Sequence, residues 1–163
     1  MLLLLAAGAQ LYAIDSERVV EVIPRVMHRP VSGAPPHRPG VFNFRGRVVP
    51  VLDVSQLIAG EACAAHLSSR IIMVRLRETV AGPELLGLLA ERVTDTLLKP
   101  LSSFQPAQGA TQVRPFLGGV ALDERGLIQL LEIEPLAREA LAEPQSGPGA
   151  LASPPQLEPD AGA

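Results

Sequence analysis

The chain has 163 residues, is 47% hydrophobic and carries a formal charge of −3, enough for one domain of ordinary size with a sizeable core. With no Trp, one Tyr and four Phe, that core has to be aliphatic. After Ala140 the only charged residues are Glu143, Glu158 and Asp160, so residues 1–140 are close to neutral, which argues against the clustered cations of a nucleic-acid surface or a polybasic membrane anchor.

The first segment, Leu2 to Leu5, is apolar and is followed by Ala7-Gly8-Ala9. It lacks the basic flank and the length of a signal peptide. It reads as a buried strand, a turn near Gly8 and a second strand from Leu11. Val19 to Ile23 reads as another strand, and Val20, Val22 and Ile23 cannot all face one core. Arg29 to Arg38 is a loop by composition, since Pro30, Pro35, Pro36 and Pro39 forbid a helix or a central strand.

Gly40 to Phe44 alternates, with Val41 and Asn43 on one side and Phe42 and Phe44 on the other. Arg45-Gly46-Arg47 supplies a tight turn, with Gly46 able to take positive φ. Val48 to Val54 is apolar except for Asp53, as a strand buried on both sides would be. Asp53, just before Ser55, sits where a carboxylate bonds backbone N–H groups.

Gly60 to Ser69 and Ser102 to Thr111 are connections. Leu85 to Leu98 has apolar spacing that also suits a helix face, but it is read as strand, turn, strand. Asp123 to Gly126 is a hairpin turn, and Glu134 to Leu141 is the best helix, with Pro135 acceptable in its first turn. Beyond it, residues 143–163 hold five prolines and three glycines and read as a disordered tail. No run approaches the ~18 apolar residues of a membrane-spanning helix.

A diverged repeat runs through the chain. Leu2–Leu5 matches Ile71–Val74, Glu17-Arg18-Val19 matches Glu91-Arg92-Val93, Gly40-Val41 matches Gly119-Val120, and Leu52-Asp53-Val54 matches Leu131-Glu132-Ile133, at offsets of 69, 74, 79 and 79 residues. The expected organisation is a domain over 1–140 with two similar β subdomains, about 1–62 and 67–133, and then a short helix.

Four motifs in order, Tyr12-Ala13-Ile14-Asp15, Val20-Glu21-Val22-Ile23, Asn43-Phe44-Arg45-Gly46 and Val49-Pro50-Val51-Leu52-Asp53, make the chain resemble the CheW family over about residues 1–140. The resemblance implies a mainly β fold of two small five-stranded SH3-like barrels packed together. It also implies a non-enzymatic cytoplasmic adaptor between methyl-accepting chemoreceptors and a CheA-type histidine kinase. The receptor's helical tip would dock in a groove and the kinase's regulatory domain on another surface, with no cofactor. The pathway would be chemotaxis or a related one for surface sensing, pili or second messengers. Glu21 and Arg45 would pair near the partner-binding surface, which would also include Val20, Val22, Asn43 and Gly46. Such a pair, expected as a bidentate, planar contact across adjacent strands, could equally fix strand register.

The alternative is a small double-barrel enzyme or ligand-binding protein using loop residues Cys63, His66 and Asp53. A metal site would need two more ligands, whereas His28 and His37 fall in another loop. A Cys63 nucleophile would need a base and an oxyanion site that the sequence does not supply. Cys63 is the lone cysteine, so no internal disulfide forms, as expected of a reducing compartment.

Overall fold

The apolar runs become strands that are buried on two sides. A computed structural model describes residues 1–93, 95–108 and 114–142; the tail expected over 143–163 lies outside the described residues. In chain order, β1 is Leu2–Ala7, β2 Gln10–Asp15, β3 Val19–Pro24, β4 Gly40–Phe44 and β5 Arg47–Asp53, followed by a short helix α1, Val54–Ala59. The second half gives β6 Arg70–Thr79, β7 Gly82–Ala90, β8 Thr96–Leu97, β9 Leu117–Asp123, β10 Gly126–Leu131 and the helix α2, Ile133–Leu141. Leu85 to Leu98 is strand, turn and strand, and the expected C-terminal helix forms. The sequence had not signalled α1, which follows the strand end at Asp53.

The strands form two five-stranded sheets, ordered β8-β1-β2-β10-β9 and β3-β6-β7-β5-β4. Neither sheet corresponds to one of the halves 1–62 and 67–133. Each takes the first two strands of one half and the last three of the other. Substituting β1 to β5 for β6 to β10, and the reverse, converts one order into the other. The repeat is therefore real, but its copies interlock instead of lying side by side. Each copy completes the other's sheet on both sides: β10 runs parallel beside β2 and β5 beside β7, while β8 pairs antiparallel with β1 and β3 with β6.

The same interlocking explains the repeated Gly-Val. Arg29 donates to the Val41 carbonyl at 2.7 Å and accepts from its N–H at 2.9 Å, and Gln105 pairs likewise with Val120 at 2.8 Å both ways. These bridges join the chain beyond β3 to β4, and the chain beyond β8 to β9, drawing the two edges of each sheet together at one point. At the preceding residue a side chain would strike the bridge. A Cβ on Gly40 would lie 2.3 Å from the Arg29 oxygen, and one on Gly119 2.9 Å from the Gln105 oxygen.

Burial falls into three layers. Leu2, Leu4, Ala13 and Ile128 fill the first barrel. Phe42, Val49, Val51, Ile71, Met73 and Leu89 fill the second. Between them lies the largest cluster, which takes Leu5, Tyr12 and Ile14 from one sheet and Leu52, Ile72, Val74, Leu86 and Leu88 from the other. Alternation along β1, β2, β6 and β7 thus sends every second side chain into a barrel and the rest into the shared layer. The start of β5 departs from the expected two-sided burial: Val48 is 77% exposed, because there the strand extends past β7 and only β4 pairs with it.

Ile133, Leu136, Ala137 and Ala140 of α2 also enter the shared layer, at the spacing of one helix face. Arg18, in the connection from β2 to β3, fixes the helix from outside. Its guanidinium donates to the carbonyls of Arg75 at 3.1 Å and Leu76 at 3.2 Å, and to Glu134 at 3.2 Å. The sequence showed Arg18 only as a repeat match, with no sign of these partners.

Candidate functional site

The site is built on the β4–β5 hairpin. Phe44 pairs with Arg47, leaving Arg45 and Gly46 as a two-residue loop with φ of 50° and 82°, the signature of a type I′ turn. Glycine adopts this freely, whereas an arginine in the left-handed region costs about 1 kcal/mol. Two neighbours hold the turn in place. Asn43 Oδ1 accepts from the Gly46 N–H at 2.8 Å. The Arg45 guanidinium lies over the Phe44 ring, 4.8 Å from its centroid, a cation–π contact. Each residue of Asn43-Phe44-Arg45-Gly46 thus has a distinct task, and backbone strain is retained at an exposed cation.

Arg45 Nη2 donates to Glu21 Oε2 at 2.6 Å, so the expected pair forms. It differs in two respects from the expectation. The recorded contact is a single nitrogen–oxygen pair, and β3 and β4 are opposite edges of their sheet rather than adjacent strands. Strands that share no hydrogen-bond ladder have no register for the pair to fix. The ion pair spans the barrel's closing seam, beyond the Arg29–Val41 bridge. Both partners are well exposed, at 69% for Arg45 and 38% for Glu21, where such pairs contribute little to stability.

β3 alternates half-buried and exposed positions. Val19 packs against the shared layer and Ile23 against the barrel interior. Val20 and Val22 point out, 38% and 37% exposed. Glu21 sits between Val20 and Val22 on this edge strand but in the alternate, half-buried row, and Arg45 joins it to the hairpin of Asn43 and Gly46. The equivalent hairpin in the other barrel differs. There Arg125 turns back to Asp123 of its own turn at 3.2 Å.

Cys63, His66 and Asp53 do not make a reactive group. Asp53 faces inward, and its two oxygens accept from the Gln56 N–H at 3.0 Å and the Cys63 N–H at 2.9 Å, capping α1 and pinning the following loop. The sequence expectation of backbone bonding at Asp53 holds. Cys63 is buried, and that burial, with the Asp53 and Glu91 charges opposing Ser69 and Arg25, pushes its thiol up to about 11. His66 is exposed, and its backbone N–H bonds Ser69 Oγ at 3.2 Å. A groove of about 820 Å³ lies elsewhere, beside Asp15, Arg18, Phe104 and Arg138, and none of the three residues lines it. Among the described residues, no group of three or more His, Cys, Asp or Glu could hold a metal ion.

Two outcomes test this reading of the loop. A thiol titrating near 11 rather than near 9 holds about 100-fold less thiolate at pH 8. Alkylation of native Cys63 should then be slower than in denaturant by about that factor or more. Because folding raises this pKa, its contribution to stability is complete below about pH 9 and declines as the pH approaches 11. Asp53→Ala should cost about 2 kcal/mol in chemical denaturation, since two backbone donors lose their acceptor. A loss under 0.5 kcal/mol would show the cap to be dispensable.

Comparison with known proteins agrees with this geometry. The family model described as CheW-like domain matches residues 1–141. The chain is 28% identical over 129 residues to a chemotaxis protein CheW of Rhizobium meliloti, covering 78% of this chain and 80% of that one. It is 28% identical over 137 residues to a chemotaxis protein CheW of Klebsiella aerogenes, covering 82% and 79%. The crystal structure of the scaffolding protein TtCheW from Thermoanaerobacter tengcongensis superposes with a TM-score of 0.70 at 23% identity, over 81% of this chain and 83% of that one. With its two barrels, its C-terminal helix and a family match from residue 1 to 141, this chain belongs to the CheW-like domain family.

Proposed function

We propose that this protein is a non-enzymatic adaptor that couples the cytoplasmic tips of methyl-accepting chemoreceptors to a CheA-type histidine kinase, in chemotaxis or a related sensory pathway. The observation that carries this reading is the exposed Arg45–Glu21 pair across the barrel seam, flanked by outward-facing Val20 and Val22, in a chain of this family. A rigid hairpin presenting a cation beside an apolar edge strand suits recognition by surface contact: the valines supply burial and the charged pair supplies orientation. Asn43 and Gly46 serve the contact by holding Arg45 in its turn. No helix among the described residues is long and apolar enough to cross a membrane. The adaptor would work in the cytoplasm, recruited to receptor arrays by its partners.

The test is titration of the purified protein with a CheA-type regulatory domain and with a receptor-tip fragment. Arg45→Ala and Glu21→Ala should each weaken binding to one of them about tenfold, or about 1.4 kcal/mol. Their denaturation midpoints should move by less than about 0.5 kcal/mol, as for other exposed pairs. If the native protein binds neither partner, the adaptor reading fails.

A further inference from the structure

The β4–β5 hairpin carries two arginines at its tip, and they are tied in opposite directions around the second barrel. Arg45 reaches Glu21 of β3 across the seam. Arg47 reaches the turn between β6 and β7, where its Nη1 donates to the Pro83 carbonyl at 2.6 Å and its Nη2 to the Ala81 carbonyl. β5 and β7 pair in parallel only from Val51 with Gly87 to Asp53 with Leu89. Ahead of that ladder the strands part around a cavity of about 470 Å³, with Val48 and Pro50 on one side and Ala81, Pro83 and Leu85 on the other. Pro50 and Pro83 have no N–H with which to continue it. Extending the register would set Arg47 beside Pro83, so the guanidinium stands in for backbone bonds that the strands do not make. Gly82 leaves room for it, since a Cβ there would strike the Arg47 guanidinium.

We propose that Arg47 is a positioning residue: it braces the hairpin tip against the β6–β7 turn and so holds Arg45 where it meets Glu21. The brace is a property of the free protein, and its consequence, an oriented Arg45 at the partner contact, rests on the adaptor role proposed above. β4 is an edge strand of its sheet, so the tip overhangs the paired part and, without a brace, is free to swing about Val51. The support on the far side is firm. Thr79 Oγ1 donates to the Gly82 carbonyl at 2.6 Å, Arg77 pairs with Glu84, and Arg18 holds the Arg75 and Leu76 carbonyls. Two donors in one rigid plane, each on its own carbonyl, resist rotation; an arginine supplies them and a lysine does not. Fixing the tip in advance lowers the freedom lost when Arg45 meets a partner.

NMR relaxation of the Arg45 Nε–H in the full chain, free of any partner, reads the brace directly. Its order parameter should fall to below about 0.6 in Arg47→Ala and also in Arg47→Lys, which keeps the charge and is the milder change to the fold. An unchanged order parameter in both variants overturns the proposal. In titrations with the CheA-type regulatory domain and the receptor tip, each variant should weaken about fivefold the binding that Arg45→Ala weakens. Neither should have a further effect in an Arg45→Ala background. Full binding by Arg47→Lys would mean that its charge alone matters, and additive losses that Arg47 touches the partner itself; either overturns the positioning role. If the native protein binds neither partner, the adaptor reading fails, and the relaxation result alone decides whether Arg47 braces Arg45.

Discussion

Gly40→Ala should destabilise the protein by about 3 kcal/mol, whereas Gly119→Ala should cost about 1 kcal/mol, both within the range of overpacking. Neither glycine is needed for positive φ, so the cost is steric. At Gly40 the added Cβ would meet the Arg29 carbonyl, 2.3 Å from its oxygen and 2.7 Å from its carbon. That carbonyl is held by the N–H of Val41, and the Arg29 N–H in turn bonds the Val41 carbonyl. Relief therefore means opening the bridge that closes the second barrel. At Gly119 the contacts are less severe, 2.9 Å to the Gln105 backbone oxygen and 3.1 Å to Phe104 Cβ, so the bridge there must also move, but by less. Denaturant midpoints of the two variants give the comparison. Equal losses, or a neutral Gly40→Ala, would overturn the closure account. Because the Arg45–Glu21 pair spans the same seam, the adaptor role proposed above predicts that Gly40→Ala also weakens partner binding, unlike Gly119→Ala.

Much of this architecture was legible in the sequence, for reasons that also set the limit. Strands buried on two faces leave unbroken apolar runs, so Leu2–Leu5 and Ile71–Val74 announced themselves. The repeated Gly-Val was visible as a match, but its cause was not, because the clash partners Arg29 and Gln105 come from loops that composition alone does not place. Interlocking of the copies was equally hidden. A repeat fixes which segments are equivalent and leaves open which of them pair. The helix α1 was missed because six residues are too few for a periodic signal, although Asp53, its cap, had been read as bonding backbone. At the site, the partnership of Glu21 and Arg45 came from the family resemblance. Its placement across two sheet edges depends on barrel curvature, which strand patterning does not encode. The apolar spill-over of β3 was readable, since one strand cannot hide both rows of VVEVI.

Leu136→Ala should cost about 3 kcal/mol, while Leu122→Ala should change stability by less than about 0.5 kcal/mol. Leu136 is fully buried and Leu122 is 72% exposed, so the same chemical deletion leaves a cavity at one position and returns surface to water at the other. A nine-residue helix is marginal in isolation. What holds α2 is its apolar face in the layer between the sheets, together with the Arg18 contact to Glu134. Loss of Leu136 should therefore loosen the helix, and amide exchange along 136–141 should accelerate ahead of the strands. The layer it enters is shared by Leu5 and Ile14 of one sheet and Ile72 and Leu88 of the other, and each sheet is completed by strands from the opposite half. Neither barrel can then unfold without breaking the other, and denaturation of Leu136→Ala should remain a single transition. Two separated transitions would mean that the barrels are independent units and that the central layer does not couple them.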